Sequence, residues 1–424
     1  MQKTIESFFW QQGMHHELIG FPRDKETFLK EMARGLKKEP SSVRMELTYL
    51  EPKSFPTQPR SVVVLDAGGT NLRVAKGIAK ADGVDLSDLT RCPMPGSLSP
   101  VDKQGLLNQL ADMVEPLVEE GSNCGFCFSY EATIQENGDA LVGGMGKGVV
   151  VTGIENTMLA KELNEILLQR GKPAMNTMVL NDTTATLMGA LAQENESDYD
   201  GFIGFILGTG TNCAYIEDAK KVEKYPNFKG ERMIINAEAG AFKGFIHGSA
   251  DVRLVHEVSS KRSFNYEKMT AGAFFGPLAG HLFDIAVEEG ILKTAEPHSH
   301  LELTTKELNE FMQNPYKKGK ISDLLPDDHE RDVAAKVFDM LLRRSGKCVA
   351  LVLSSVMEQG DMGKTPERPA CIAAEGSTYW KFPAYRRWIE HYLKEFAKEM
   401  GRSYVIKECN DTNLLGAALA AVSI

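Results

Sequence analysis

No stretch of the sequence stays apolar for the roughly 18 residues that a membrane-crossing helix needs, so no membrane span is expected. Residues 1–6 lack the basic-then-apolar layout of a signal peptide. Cysteine is sparse: seven in 424 residues, an odd number and scattered. That argues against a disulfide framework and fits a reducing, cytoplasmic setting. Cys124 and Cys127 have C-x-x-C spacing, but residues 123–129 read as a buried strand. Side chains three apart on a strand point to opposite faces and no second pair follows, so no zinc site is expected there. There is no basic surplus either, since 48 Lys and Arg against 58 Asp and Glu give a net charge of −10. Nucleic acid needs a basic face and is not an expected partner. Small anions remain open, because backbone N–H groups can hold them. The nine histidines form no H-x-x-x-H, no G-x-S-x-G elbow occurs, and no G-K-[ST] follows the Gly68-Gly69 turn. Zinc hydrolases, elbow-type serine hydrolases and P-loop enzymes are thereby set aside.

What is present is an ordinary globular composition, 42% hydrophobic and 25% charged, long enough for two or three domains with large cores. Phe28, Leu29, Met32 and Leu36 recur at helical spacing within 24–38. A Pro-rich connector, 51–59, leads to a Val- and Leu-rich strand at 61–66. Residues 72–79 read as its returning strand around a Gly-Gly turn. Residues 104–120 are amphipathic, with Gly121 placed as a C-cap. Further on, 178–181 is a short strand, 183–193 a helix and 202–207 a buried strand. Near the end, 334–358 reads as a long helix, 371–374 as a strand, 385–400 as a helix, and a last helix starts near Asn413. Two glycine turns about 140 residues apart, each after a buried strand and each opening another, suggest two related α/β halves around one cleft.

The first turn is Asp66-Ala67-Gly68-Gly69-Thr70-Asn71-Leu72-Arg73. Adjacent glycines allow a sharp turn, and successive N–H groups in it form an anion nest. Thr70 can donate a hydroxyl and Asp66 can hold water on Mg²⁺; a plain hairpin gives the same letters. Gly208-Thr209-Gly210-Thr211-Asn212 is the second turn, so phosphates could be held from both sides. Asn181-Asp182-Thr183 stands where a strand ends, the place where open α/β sheets put their ligands. Asp182 there is a general base, a metal ligand or simply part of a helix N-cap. Glu238 and Glu267 taken singly read as solvated surface. Gly376-Ser377-Thr378 follows a strand, where small residues would let a flat ring lie on backbone.

In order along the chain, these segments resemble the motifs of the eukaryotic-type hexokinases and glucokinases. Asp66 to Arg73 is similar to that family's first phosphate motif, D-x-G-G-T-N-x-R. Phe128-Ser129-Tyr130 resembles its sugar loop, with Glu131 where the family has Pro. Gly146-Lys147-Gly148 resembles T-K-G with Gly146 in place of Thr. Asn181-Asp182-Thr183 resembles N-D-T, and Gly208 to Asn212 resembles G-T-G-x-N. Asn236 to Phe242 is similar to N-x-E-x-G-x-F, and Tyr266-Glu267-Lys268-Met269 to Y-E-K-M, without the P-G-Q-Q that usually precedes it. Ala374-Glu375-Gly376-Ser377 is similar to the adenosine motif, with Glu375 for Asp. Residues 410–413 match the last nucleotide motif only loosely.

The resemblance implies a two-domain α/β protein of the actin-like ATPase (ribonuclease H-like) fold, with a cleft between a small and a large domain. It implies a small domain at 61–180 and a large one at 181–407. Residues 1–60 would pack on the large domain, and a C-terminal helix within 408–424 would return to the small one. It also implies transfer of the ATP γ-phosphoryl to the 6-hydroxyl of a hexose, glucose first. Asp182 would act as base and Lys147 would stabilise charge and bind the ring. Ser129, Asn181, Asn212, Glu238 and Glu267 would bind sugar hydroxyls. Asp66, Gly68, Gly69, Thr70, Asn71, Arg73, Gly208, Thr209, Gly210, Thr211, Gly376 and Ser377 would hold the nucleotide, with Mg²⁺ met by Asp66 through water. The expected partners are a hexose and MgATP, in a monomer or homodimer. The departures at Glu131, Gly146 and the missing P-G-Q-Q fall around the sugar. A kinase for another hexose or an amino sugar, or a noncatalytic sugar sensor of the same fold, is the alternative.

Overall fold

The computed structural model describes residues 4–52, 55–258, 265–296 and 299–424. One sheet holds β1 (Arg60–Ala67), β2 (Asn71–Lys80), β3 (Gly83–Pro93), β4 (Asn123–Phe128) and β5 (Asn176–Leu180). Their order is β5-β4-β1-β2-β3, with β1, β2 and β3 antiparallel and β4 and β5 added in parallel. A second sheet holds β6 (Gly201–Leu207), β7 (Thr211–Asp218), β8 (Arg232–Asn236), β9 (Ala370–Glu375) and β10 (Tyr404–Lys407). Their order is β10-β9-β6-β7-β8, and a two-residue strand, Glu46–Leu47, lines the edge of β8. The two sheets therefore repeat one plan strand for strand, which is the physical content of the faint echo between the glycine turns.

Two helices, Asp182–Leu191 and Thr412–Ala421, lie between the sheets. They share one apolar cluster with Val62, Val64 and Leu180 from the first sheet and Phe202, Ala214 and Cys371 from the second. The helices meet backbone to backbone: a Cβ on Gly416 would lie 2.0 Å from the Ala185 carbonyl oxygen. The other face of the first sheet buries Val63, Leu65 and Phe126 under the helices Lys103–Val114 and Leu159–Gln169. Cys124 belongs to that cluster and Cys127 to the inter-sheet one, so the C-x-x-C thiols do face opposite ways. All seven cysteines are free. On the outer face of the second sheet, Phe28 and Met32 of the helix Phe21–Leu36 join a core with Leu341, Val349, Ile389 and Phe396. Those four come from the helices Asp328–Gln359 and Pro383–Glu399.

Three helices depart most from expectation. The helix expected at 104–120 ends at Val114, because Pro116 has no N–H to donate to the next turn. The long helix expected from 334 starts at Asp328, since the Asp327 carboxylate caps it by accepting the Glu330 N–H at 2.9 Å. The helix expected at 24–38 spans Phe21–Leu36, with Pro22 in its first turn. Among the described residues no helix is long and apolar enough to cross a membrane.

Candidate active site

The catalytic candidates sit at strand ends between the two sheets. β5 stops at Leu180, the Asn181 side chain accepts the Thr183 N–H at 2.9 Å, and Asp182 is the first helical residue. Capping and catalysis are therefore not rival readings of Asn181-Asp182. Lys147 follows the strand Ala140–Gly144, adopts a left-handed φ of 57°, and places Nζ 3.1 Å from Asp182 Oδ2. Burial alone would lower the Lys147 pKa, but Asp182 beside it prevails and the pKa is raised. Nζ also lies 5.9 Å from the Tyr130 ring centroid. Tyr130 Oη donates to the Gly68 carbonyl at 2.6 Å, which ties the Ser129 loop to the first glycine turn.

Across the cleft, Glu238 adopts a left-handed φ of 54°. Its Oε1 accepts from Asn212 Nδ2 at 3.0 Å and from Asn236 Nδ2 at 2.9 Å. Burial raises its carboxyl to about 7. Glu267 Oε2 accepts the Thr211 N–H at 3.2 Å. A Cβ on Gly210 would lie 2.7 Å from that oxygen, so a larger residue there would displace the Glu267 carboxylate.

Ser129, Lys147, Asn181, Asp182, Asn212, Glu238 and Glu267 all line one cavity of about 560 Å³, together with Gly69, Thr209, Gly210 and Thr211. That volume falls in the range of small-molecule sites. Arg44, Glu46, Tyr130 and Asn236 join the lining; Tyr130 and Asn236 belong to the sugar motifs but have no role of their own there, and Arg44 and Glu46 are not singled out by the sequence. Glu131 and Gly146, the two departures from the family pattern, line it too. The stretch where P-G-Q-Q would stand, 259–264, lies outside the described residues. A larger cavity, about 840 Å³, lies elsewhere along Glu217, Lys221, Gly230 and Asp361 and holds none of the motif residues.

The remaining nucleotide candidates sit behind this lining. Asp66 is buried, with Arg73 Nε and Nη2 at 2.8 and 2.7 Å from its Oδ2 and Asn413 Nδ2 at 3.3 Å from its Oδ1. Burial outweighs these partners and raises its pKa. Arg73 Nη1 also donates to Asp411 Oδ1 at 2.9 Å. Asn71 Nδ2 donates to Thr70 Oγ1 at 2.8 Å, at the exposed tip of the first turn. The Gly208 carbonyl accepts from Gly272 N–H at 2.8 Å and Thr378 Oγ1 at 2.9 Å. Gly376, with φ at 114°, lies against Leu207 and Gly208, and Ser377 is exposed at the start of the next helix. Glu375 accepts from Thr186 Oγ1 at 2.9 Å and from Thr412 Oγ1 at 2.7 Å. The loosely matching 410–413 thus reaches Arg73, Asp66 and Glu375 through Asp411, Asn413 and Thr412.

The chain matches two hexokinase family models, one over residues 23–191 and one over 202–423. It is 29% identical to a hexokinase of Schistosoma mansoni, over 92% of this chain and 91% of that one. It is 24% identical to hexokinase-1 of Schizosaccharomyces pombe, over 99% of this chain and 90% of that one. A solved Schistosoma mansoni hexokinase, complexed with glucose, superposes with a TM-score of 0.80 at 21% identity and full coverage of both chains. A bacterial sugar kinase, a hexokinase of Thermus thermophilus, superposes at 0.52 over 85% of this chain and 97% of that one. The fold is the actin-like ATPase fold, and the chain belongs to the hexokinase family, ATP-dependent kinases of hexoses.

Proposed function

We propose that the chain phosphorylates the 6-hydroxyl of a hexose, glucose before others, with Asp182 as general base. The observation that carries this is the Lys147–Asp182 pair at 3.1 Å, set in the cavity that Gly69 enters from one sheet and Thr209 and Gly210 from the other. Phosphoryl transfer asks for an aligned hydroxyl, neutralised phosphate charge and excluded water. Asp182, anchored at a helix start, accepts the proton of the 6-hydroxyl, and its position decides this more than its acidity. Lys147 supplies positive charge beside the reacting oxygen. Glu238 offers Oε2 to sugar hydroxyls while its Oε1 stays with the two amides. Sites built from such groups reject ligands lacking the hydroxyl, because their own polar atoms would be left unpaired.

The N–H groups of both glycine turns hold phosphates, and Gly376 and Ser377 offer a flat seat for the adenine. Asp66 has Arg73 on one oxygen and Asn413 on the other, so it suits contact with Mg²⁺ through water rather than direct ligation. When bound, Mg²⁺ neutralises charge on the transferring phosphates. Exclusion of water calls for closure of the half at 61–180 onto that at 181–407, with the helix Thr412–Ala421 between them. Five carboxylates line the cavity, at Glu46, Glu131, Asp182, Glu238 and Glu267, against Arg44 and Lys147. That excess of negative charge favours a second reading in which an amino sugar is also accepted. The test is coupled ADP release with glucose, mannose, fructose, glucosamine and N-acetylglucosamine. Turnover with glucose that disappears in Asp182→Ala, while glucose binding persists, is the expected result. No turnover with any sugar, or more than a few per cent activity in that variant, refutes the reading.

A further inference from the structure

We propose that Glu257, His281 and His300 form a binding site for one divalent transition-metal ion, Zn²⁺ above Mg²⁺ or Ca²⁺, with Asp284 positioning His300. None of the four lines the catalytic cavity. Glu257 ends the helix Ser249–Glu257, and His281 lies midway along the helix Gly272–Glu288. His300 lies in the segment leading to the helix Thr305–Gln313. One ligand atom from each of the three lies within 4.8 Å of the others. Zinc bonds of about 2.0–2.1 Å in a tetrahedron place ligand atoms roughly 3.3 Å apart, so the ion asks only for a modest contraction.

The second observation is how the imidazoles are held. His300 Nδ1 lies 2.5 Å from Asp284 Oδ2, and the other Asp284 oxygen accepts the Leu301 N–H at 3.1 Å. A carboxylate on one ring nitrogen fixes the tautomer and leaves the other nitrogen's lone pair facing outward, the usual support of a metal-bound histidine. His281 Nε2 lies 2.5 Å from Glu257 Oε2, and the two rings stack at 5.0 Å between centroids. Two imidazoles and one carboxylate leave a fourth position for water, and this donor set suits zinc, cobalt or nickel better than the oxygen-seeking Mg²⁺. His281 and Asp284 are buried, whereas His300 is 37% exposed by side chain, so an ion can enter from solvent. The bound ion would fasten together two helices and the 299–304 segment. The second of these helices, Gly272–Glu288, also supports the second glycine turn through Gly272 and Ala273.

The test is equilibrium dialysis of the chelator-treated full chain against Zn²⁺ alone at pH 7.5, with metal counted by emission spectroscopy. One Zn²⁺ per chain is expected, retained in millimolar Mg²⁺. His300→Gln should weaken it at least tenfold, and Asp284→Asn about tenfold, the usual effect of losing such a support. Circular dichroism and glucose turnover check that each variant folds; His300→Gln alters an exposed side chain and keeps the test decisive if buried variants do not fold. No bound Zn²⁺ overturns the proposal. So does Zn²⁺ bound equally well by His300→Gln, as capture by the free thiols would give.

Discussion

Glu238→Gln separates what the site does for sugar from what it does for the fold. The amides of Asn212 and Asn236 both point at Oε1. A glutamine there must turn its carbonyl toward them, since its NH₂ would oppose two donors. The NH₂ then stands where Oε2 stood, and an acceptor facing the cavity becomes a donor. Losing a hydrogen bond from a sugar hydroxyl to a carboxylate removes about 1.5–3 kcal/mol. At about 1.4 kcal/mol per decade, kcat/KM for glucose should fall roughly 10- to 150-fold.

Stability should move the other way. Burial raises this carboxyl from 4.5 to about 7. A carboxyl raised in the folded state stabilises the fold below pH 4.5 and loses that contribution as pH rises through 7. At about 1.36 kcal/mol per pH unit, ionised Glu238 costs the fold about 3 kcal/mol above pH 7. Glutamine never ionises, so Glu238→Gln should melt about 3–4 °C above the parent at pH 8, with the gap closing toward pH 4.5. In the parent, kcat/KM for glucose should rise with pH through about 7. The assays are coupled ADP release and differential scanning fluorimetry over pH 4.5–8. A variant with parental glucose KM, or one no more stable than the parent at pH 8, refutes the reasoning.

Gly210→Ala puts a Cβ 2.7 Å from Glu267 Oε2 and should raise KM for sugar and ATP together; an effect on neither would refute the close packing of turn and sugar wall. Glu375→Ala removes the acceptor of the Thr412 hydroxyl and leaves Thr186 only the Asp182 carbonyl, costing about 1–3 kcal/mol for the group left unpaired. Melting and kcat should fall in the order parent, Glu375→Gln, Glu375→Ala, and equal behaviour of the two variants refutes the role of the accepting oxygen. Tyr225 Oη donates to Glu136, at the tip of the hairpin that carries Glu131, and its ring packs edge-on against Tyr49 at 5.1 Å. This contact ties the hairpin to the segment between β7 and β8. Tyr225→Phe should raise glucose KM a few-fold with kcat intact, and an unchanged KM refutes its part in closure.

The sequence showed most clearly whatever the backbone alone dictates. Gly-Gly turns after Val- and Leu-rich strands, and a C-x-x-C split across two faces, need only local geometry. The lone acids could not be weighed that way. Glu238 and Glu267 look like solvated surface until the strand order brings Asn212, Asn236 and Thr211 against them. Tyr130 stands in the sugar-loop motif, but its contact could not be read for the same reason, because its partner is the Gly68 carbonyl 62 residues away. Asp411, Thr412 and Asn413 match the last motif loosely in letters. Their contacts with Arg73, Glu375 and Asp66 form only when the C-terminal helix packs between the sheets. Helix ends were misjudged where one residue decided them, at Pro116 and at Asp327.

The net charge of −10 says little about the field inside the cleft. Three of its acids, one buried and two half-buried, are already engaged by neutral or cationic groups. Asp66 is matched by the Arg73 guanidinium, Glu375 by two hydroxyls, and Glu238 by two amides. Arg73 is itself shared between Asp66 and Asp411 and adds no free positive charge. What can face an anion is the backbone N–H of two glycine turns, the Lys147 ammonium held beside Asp182, and Arg44 in the same lining. The same three contacts at the start of the C-terminal helix touch a strand end of each sheet, β1 through Asp66 and β9 through Glu375. A shift of that helix therefore moves the first glycine turn, through Asp66, and the Gly376 turn, through Glu375, relative to Asp182. Charge neutralisation and alignment of the hydroxyl are thus coupled through Thr412 and Asn413, which is why a substitution at Glu375, which does not line the sugar cavity, should lower kcat.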